Sequence, residues 1–321
     1  MTTLAAIATK DALIMGCDSL ASVTIPMVDP VSLIQYFDTT DGKMKIGTDG
    51  QPLLKDFSTL YGYAQDLPYN HMTHVDKLFS LSPLEMGVMT TGLASIGNFT
   101  IKNLINQFKS SDKAFKKGKQ QSNYTVKGIA ERLLTFINTY YLKEFSDKQK
   151  QYLEFMIGGY DKRKHIPSIL RIYVHDNKIE ETIDNFGIVF GGQMMEIQRL
   201  VFGTDSTNRI KIIERSKQLF NNYYKKIAII KEENNITIEM PEPNYQDFSF
   251  FEDGWDLNQF TANWGDFSER NAIECVKFFI EIMIKSQQFS DKLPTVGGDV
   301  HLSIITKTEG FKAIKNGDKN E

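Results

Sequence analysis

Thr2, directly after the initiator methionine, is the residue with the most chemistry open to it. It is small enough for an aminopeptidase to remove Met1, which leaves Thr2 with a free α-amine. Its Oγ is then a nucleophile for amide attack. Its own amine, ionising near about 7.7–8.0, accepts the hydroxyl proton at neutral pH. Asp18 stands sixteen positions later, in Met15-Gly16-Cys17-Asp18-Ser19. A carboxylate at that point can hold a lysine ammonium beside the hydroxyl. Such an ammonium favours the neutral amine and stabilises the alkoxide. Other chemistries lack their signatures: there is no phosphate loop, no H-E-x-x-H helix, no C-x-x-C pair and no G-x-S-x-G elbow. His71, His74 and Asp76 have metal-ligand spacing but lie in an irregular stretch near Pro68, and are read as a plain loop.

Positioning these groups requires a hairpin. Thr3 to Ala8 and Leu13 to Asp18 are β-compatible runs joined by Thr9-Lys10-Asp11-Ala12, which brings the end of the second strand back beside residue 2. Residues 23–76 read as irregular, with Asp41-Gly42 and Asp49-Gly50 as turn signals. Strands are expected at Lys77 to Phe79 and Met86 to Thr90, then a small-residue turn from Gly92 to Gly97. Helices follow over about Asn98–Lys109 and Thr125–Tyr141, the second with Thr125 as N-cap. Strands come next at Glu154–Gly158, Ile169–Val174 and Glu181–Phe190. Helices are expected at Met194–Phe202, Arg209–Lys231 and Asn271–Gln288, and strands at Val300–Thr306 and Gly310–Ile314. Strands and helices cluster without strict alternation, which favours an α+β domain of antiparallel sheets covered by helices. The first strand runs into another strand, so a doubly wound nucleotide fold is excluded.

The 321 residues suffice for one large domain or two modest ones. With 41% hydrophobic and 24% charged residues, the composition is that of a globular chain. A net charge of −3 argues against a protein built to grip nucleic acid, and no apolar run is long enough to span a membrane. Cys17 and Cys275 make neither a disulfide scaffold nor a four-thiolate metal site. The Lys10-Asp11 charge pair interrupts any secretory core, so a cytoplasmic location is expected.

The run Thr2 to Ser19 resembles the opening of a proteasome β-type subunit or of the bacterial HslV protease, both N-terminal-nucleophile hydrolases. Three further stretches are similar to proteasome-type sequences, most of all to small bacterial ones. They are Lys77-Leu78-Phe79 with Gly87 to Ala94, Phe155 to Asp161, and Pro294 to Val300 with the strand Leu302–Thr306. The resemblance implies a four-layer αββα sandwich, a single domain over 1–321 with insertions at about 23–76 and 204–268. It implies Thr2 as nucleophile, Asp18 as the carboxylate orienting Lys77, and the Gly92 N–H as oxyanion donor. Ala21 and Ser22 would begin the segment that aligns substrate backbone as an added strand. Ala21, Thr90 and Ala94 would line the pocket for the residue before the scissile bond. The implied activity is a threonine-type endopeptidase acting on peptides or unfolded proteins, without cofactor or metal. A homo-oligomeric ring or other symmetric assembly and an ATPase partner are implied with it, and no nucleic acid or membrane.

In the family the aspartate and lysine are close in sequence, whereas Asp18 and Lys77 are 59 positions apart. Lys43, Lys45 and Lys55 are therefore rivals; Lys77 is preferred because a strand and a glycine turn follow it. Phe190-Gly191-Gly192 and Val296-Gly297-Gly298 both lack the family's turn serine, and Leu293 replaces an aspartate, with Asp291 nearby. These departures leave two alternatives: a weak or inactive structural or binding subunit, and a hydrolase of a small amide. Residues 241–269 contain no Lys or Arg but eight aromatics and seven acids, and read as an insertion packed on the domain or a contact surface.

Overall fold

In the computed structural model, residues 2–28, 39–40, 43–48, 50–51, 53, 64–116, 124–146, 150–183, 185–203, 205–233, 262–290 and 293–314 are described. The strands are β1 (Thr3–Ala8), β2 (Leu13–Asp18), β3 (Ala21–Val28), β4 (Thr39–Thr40), β5 (Lys43–Met44), β6 (Ala64–Met72), β7 (Leu78–Ser80) and β8 (Met86–Gly92). They continue with β9 (Ser95–Ile96), β10 (Phe99–Thr100), β11 (Leu153–Tyr160), β12 (Pro167–Tyr173), β13 (Lys178–Ile183), β14 (Gly187–Gly192), β15 (Val300–Thr306) and β16 (Gly310–Ile314). Five α-helices are described: α1 (Ile101–Ser111), α2 (Val126–Glu144), α3 (Met195–Phe202), α4 (Ser206–Glu233) and α5 (Glu269–Gln288). None is long and apolar enough to cross a membrane.

Two five-stranded antiparallel sheets dominate an α+β fold, one ordered β14-β1-β2-β15-β16 and the other β13-β12-β11-β8-β7. The β1–β2 hairpin turns where Thr9 Oγ accepts N–H bonds from Asp11 and Ala12, at 3.2 and 3.0 Å. Every residue of both strands is buried. Ala5, Ile7 and Ile14 pack with Val276, Phe279, Ile280 and Met283 of α5, whose apolar residues recur at helical spacing. Leu4, Ala6, Leu13 and Met15 face the other way, onto Met89, Met156, Tyr160 and Ile169 of the second sheet. The second sheet's far face carries α1 and α2, through Leu104, Phe108, Ile129, Leu133 and Ile137. Burial of each such side chain contributes about 1.5–3 kcal/mol. Ser268 caps α5 and Thr125 caps α2, the hydroxyls accepting from Asn271 and Gly128 N–H.

Two sequence expectations are corrected. The supposedly irregular 23–76 stretch contains β3 and β6, paired over Ala21↔Met72 to Val28↔Ala64. Pro68 argued against a strand there, and the ladder accommodates it with a register shift between Val23 and Thr24. The single strand read over Glu181–Phe190 is two: β13 edges the second sheet and β14 the first. The expected strand runs through Asp184-Asn185 and Gly187, turn-forming residues that lie between β13 and β14 or open β14.

Candidate active site

The ends of several strands meet at one place. β1 and β15 begin there and β2 and β14 end there, since Val300 pairs with Asp18 and Thr3 with Gly192. From the second sheet, Lys77 stands just before β7, and its carbonyl accepts the Thr90 N–H at 3.0 Å. Asp18 is fully buried and Lys77 is 5% exposed. Lys77 Nζ lies 3.2 Å from both Asp18 carboxylate oxygens and donates to the Leu20 carbonyl. The remaining Asp18 partners are backbone: Oδ1 accepts the Thr3 N–H at 2.9 Å, and Oδ2 those of Leu20 at 3.2 Å and Gly297 at 3.1 Å. Thr3 N–H and the Lys77 ammonium thus share one oxygen, which sets the ion pair one peptide bond from Thr2.

Thr2 is 3% exposed, and its carbonyl accepts the Gln193 N–H at 2.8 Å. Gln193 reaches it because Gly192 bends out of β14 at φ +69°; a Cβ there would stand 1.9 Å from the Thr2 carbonyl oxygen. Thr91 Oγ is 3.1 Å from the same point, so the end of β8 lies beside residue 2. Gly92 follows, exposed and at φ +99°, a conformation that suits glycine.

The other expected residues fall in different surroundings. Ala21 is buried at the start of β3 and pairs with Met72, while Ser22 pairs with His71. Thr90 is buried in β8, its hydroxyl donating to the Glu154 carbonyl at 3.3 Å. Ala94 is exposed in the turn after β8, its carbonyl accepting from Ile101. Lys43 and Lys45 are exposed, and Lys55 and Asp291 lie outside the described residues. His74 Nδ1 is 2.7 Å from Asp299 Oδ2 and Lys102 Nζ is 2.6 Å from Asp76 Oδ2, so His74 and Asp76 are drawn to different partners. Cys17 adjoins Asp18, and burial drives its thiol far above the usual range, which disfavours the thiolate.

Several neighbours of the site were not read from the sequence. Thr3 Oγ donates to the Gln193 carbonyl at 2.8 Å. Gln193 Oε1 accepts from Gln287 Nε2 at 2.6 Å and from Thr295 Oγ at 2.9 Å. Ser19 and Leu20 N–H both donate to the Gly297 carbonyl, at 3.2 and 2.9 Å. A second buried carboxylate, Glu154, lies close by: a Cβ on Gly191 would sit 3.1 Å from its Oε1. Arg171 grips it with Nε–Oε1 at 2.6 Å and Nη2–Oε2 at 2.9 Å, and the Tyr152 hydroxyl donates to Oε2. Burial, then the Glu154 charge, pushes the Tyr152 phenol up, and burial pushes Tyr173 up to about 12. The legible signal was a lone acid in the apolar run Leu153–Ile157 and a lone base in Ile169–Ile172.

From the 241–269 stretch, residues 262–269 are described and pack on the β1–β2 hairpin. Gly265 carbonyl accepts the Lys10 N–H, Lys10 pairs with Asp266, and Trp264 and Phe267 pack at a tilt of 52° with ring centroids 5.2 Å apart.

No protein-family profile and no curated protein matches this chain. Among solved structures it is similar to a Gly-1 mutant of Anbu from Hyphomicrobium sp. strain MC1, at 10% identity and TM-score 0.48 over 99% of this chain and 89% of that one. It is also similar to Anbu, an ancestral beta-subunit, from Yersinia bercovieri, at 11% identity and TM-score 0.44 over 98% and 88%. A third is the helical assembly of the Anbu complex from Pseudomonas aeruginosa, at 10% identity and TM-score 0.48 over 99% and 88%. The HslV-like reading is corrected. These neighbours belong to Anbu, a distinct family, and short motif fragments could not separate the two.

Proposed function

We propose that this chain is a threonine-type amide hydrolase that cleaves peptide bonds with Thr2 after removal of Met1. The observation that supports it is the buried Asp18–Lys77 pair, whose Oδ1 also accepts the N–H of the residue following Thr2. While Met1 is attached, the Thr2 nitrogen is an amide and has no basicity. Once freed, the amine takes the proton from Thr2 Oγ, and Oγ attacks the substrate carbonyl carbon. The Lys77 charge favours the neutral amine and the developing alkoxide, and the Gly92 N–H stabilises the oxyanion. Breakage of the C–N bond passes the proton to the leaving amine and leaves an ester on Thr2. The amine then deprotonates a water, which hydrolyses the ester and restores the hydroxyl. Asp18, held by three backbone N–H groups, orients the lysine.

In this reading, substrate backbone adds as a strand beside Ala21 and Ser22, and Ala21, Thr90 and Ala94 border the pocket before the scissile bond. The same proposal takes the chain as one domain of four layers, αββα, with insertions at about 23–76 and 204–268, self-associating into a symmetric homo-oligomer. The test is cleavage of short fluorogenic peptides. Protein that begins at Thr2 is expected to turn over, and Thr2→Ala to lose at least about 10²-fold; active protein that retains Met1 contradicts the mechanism. One observation favours a non-catalytic subunit instead: Thr2 is only 3% exposed. That reading predicts a defined oligomer that a threonine-reactive β-lactone does not label.

A further inference from the structure

We infer that Gln287, near the C-terminal end of α5, is a positioning residue that ties the clamp on Thr2 to the cradle of Asp18; the inference rests on the proposed function. The two ends of its side-chain amide serve different segments. Its Oε1 accepts the N–H groups of Thr295 at 2.6 Å and Val296 at 2.9 Å, so its Nε2 is turned the other way, donating to Gln193 Oε1 at 2.6 Å. Thr295 Oγ closes the loop by donating to the same Gln193 oxygen at 2.9 Å.

Each segment held this way touches a different part of the candidate machinery. Gln193 takes residue 2 by its N–H to the Thr2 carbonyl and residue 3 by its carbonyl from Thr3 Oγ, both at 2.8 Å. The Thr295–Val296 turn leads into Gly297, whose N–H bonds Asp18 Oδ2 and whose carbonyl accepts the N–H groups of Ser19 and Leu20. Leu20 in turn offers its carbonyl to Lys77. One half-buried amide therefore links the strand end carrying the nucleophile to the turn that orients the Asp18–Lys77 pair. An apolar side chain of similar length would leave two backbone N–H groups without their acceptor and Gln193 Oε1 without one of its donors. Small displacements of a reacting group cost rate far more than stability.

The test compares full-length wild type, Gln287→Leu and the gentler Thr295→Val, each reacted with a β-lactone that acylates an N-terminal threonine. The inference expects the maximal acylation rate to fall roughly 10–100-fold in Gln287→Leu while half-saturation changes less than about twofold. Thr295→Val should fall in the same direction by less, and it carries the test if Gln287→Leu does not fold. A purely structural brace would instead lower the melting temperature and leave the rate per folded molecule unchanged, which overturns the inference. Backbone hydrogen exchange is read on the same proteins. Protection lost together at residues 2–4, 18–20 and 295–298 supports the tie, and loss confined to 295–298 overturns it. If wild type takes no label, the proposed function falls, and the exchange pattern alone decides the inference.

Discussion

The buried carboxylates Asp18 and Glu154 are satisfied in opposite ways. Asp18 takes three backbone N–H groups and one lysine, whereas Glu154 takes only side-chain donors, two from Arg171 and one from Tyr152. The arginine fork closes on both oxygens of Glu154 and completes the pair. Lysine meets Asp18 as a point charge, at 3.2 Å from each oxygen, with three donors on a rotating head. The first pair therefore extends to a third group, the Leu20 carbonyl that takes the remaining lysine donor, while the second locks strands β11 and β12 together. A buried ion pair is weak evidence for stability, so the arrangement at Asp18 calls for another reason, which the proposed function supplies.

The sharpest way to break this contrast is at Lys77. Lys77→Ala should lower peptide turnover by about 10²–10⁴-fold. It should also destabilise by about 3–5 kcal/mol in denaturant unfolding, because Asp18 is left buried and unpaired. Lys77→Arg turns the first pair into a copy of the second. It is expected to melt closer to wild type than Lys77→Ala yet to be as inactive; full activity in the arginine variant would remove the distinction drawn here. Arg171→Met tests the other side. It should cost about 3–5 kcal/mol, with turnover per folded molecule reduced far less than at Lys77.

The smallest effect concerns Asp205, whose carboxylate accepts the Asn208 N–H at 2.9 Å at the start of α4 and pairs with Arg199 at 2.5 Å. The Asn208 backbone bond, followed by Arg199, holds its carboxyl below the usual carboxylate value. A lowered folded-state value means the stabilisation is present above the unfolded value of about 3.9 and is lost as pH falls through the folded one. Asp205→Asn should therefore lower the melting temperature at pH 7 and approach wild type toward the acid end.

Legibility in the sequence followed the range of the interaction. The β1–β2 hairpin was readable because its apolar runs are bounded by a four-residue turn, and Asp18 followed from where the second strand ends. Lys77 was nominated over Lys43, Lys45 and Lys55 by the strand and glycine turn after it, and it stands at Asp18 in the structure. β6 was hidden by Pro68, Asp66 and Asn70, which read as loop residues until a partner strand is known. The Gln193–Gln287–Thr295 network had no local signal: Gln193 is 94 and 102 positions from its two partners, and side-chain hydrogen bonds of that range follow no sequence period.

The most direct measurement is the mass of the N-terminal peptide of purified protein after reaction with a β-lactone. Our account predicts a peptide that starts at Thr2 and carries one acyl group on that residue, absent from Thr2→Ala and strongly reduced in Lys77→Ala. A peptide that retains Met1, or a free Thr2 left unmodified while the protein still hydrolyses peptides, would contradict it.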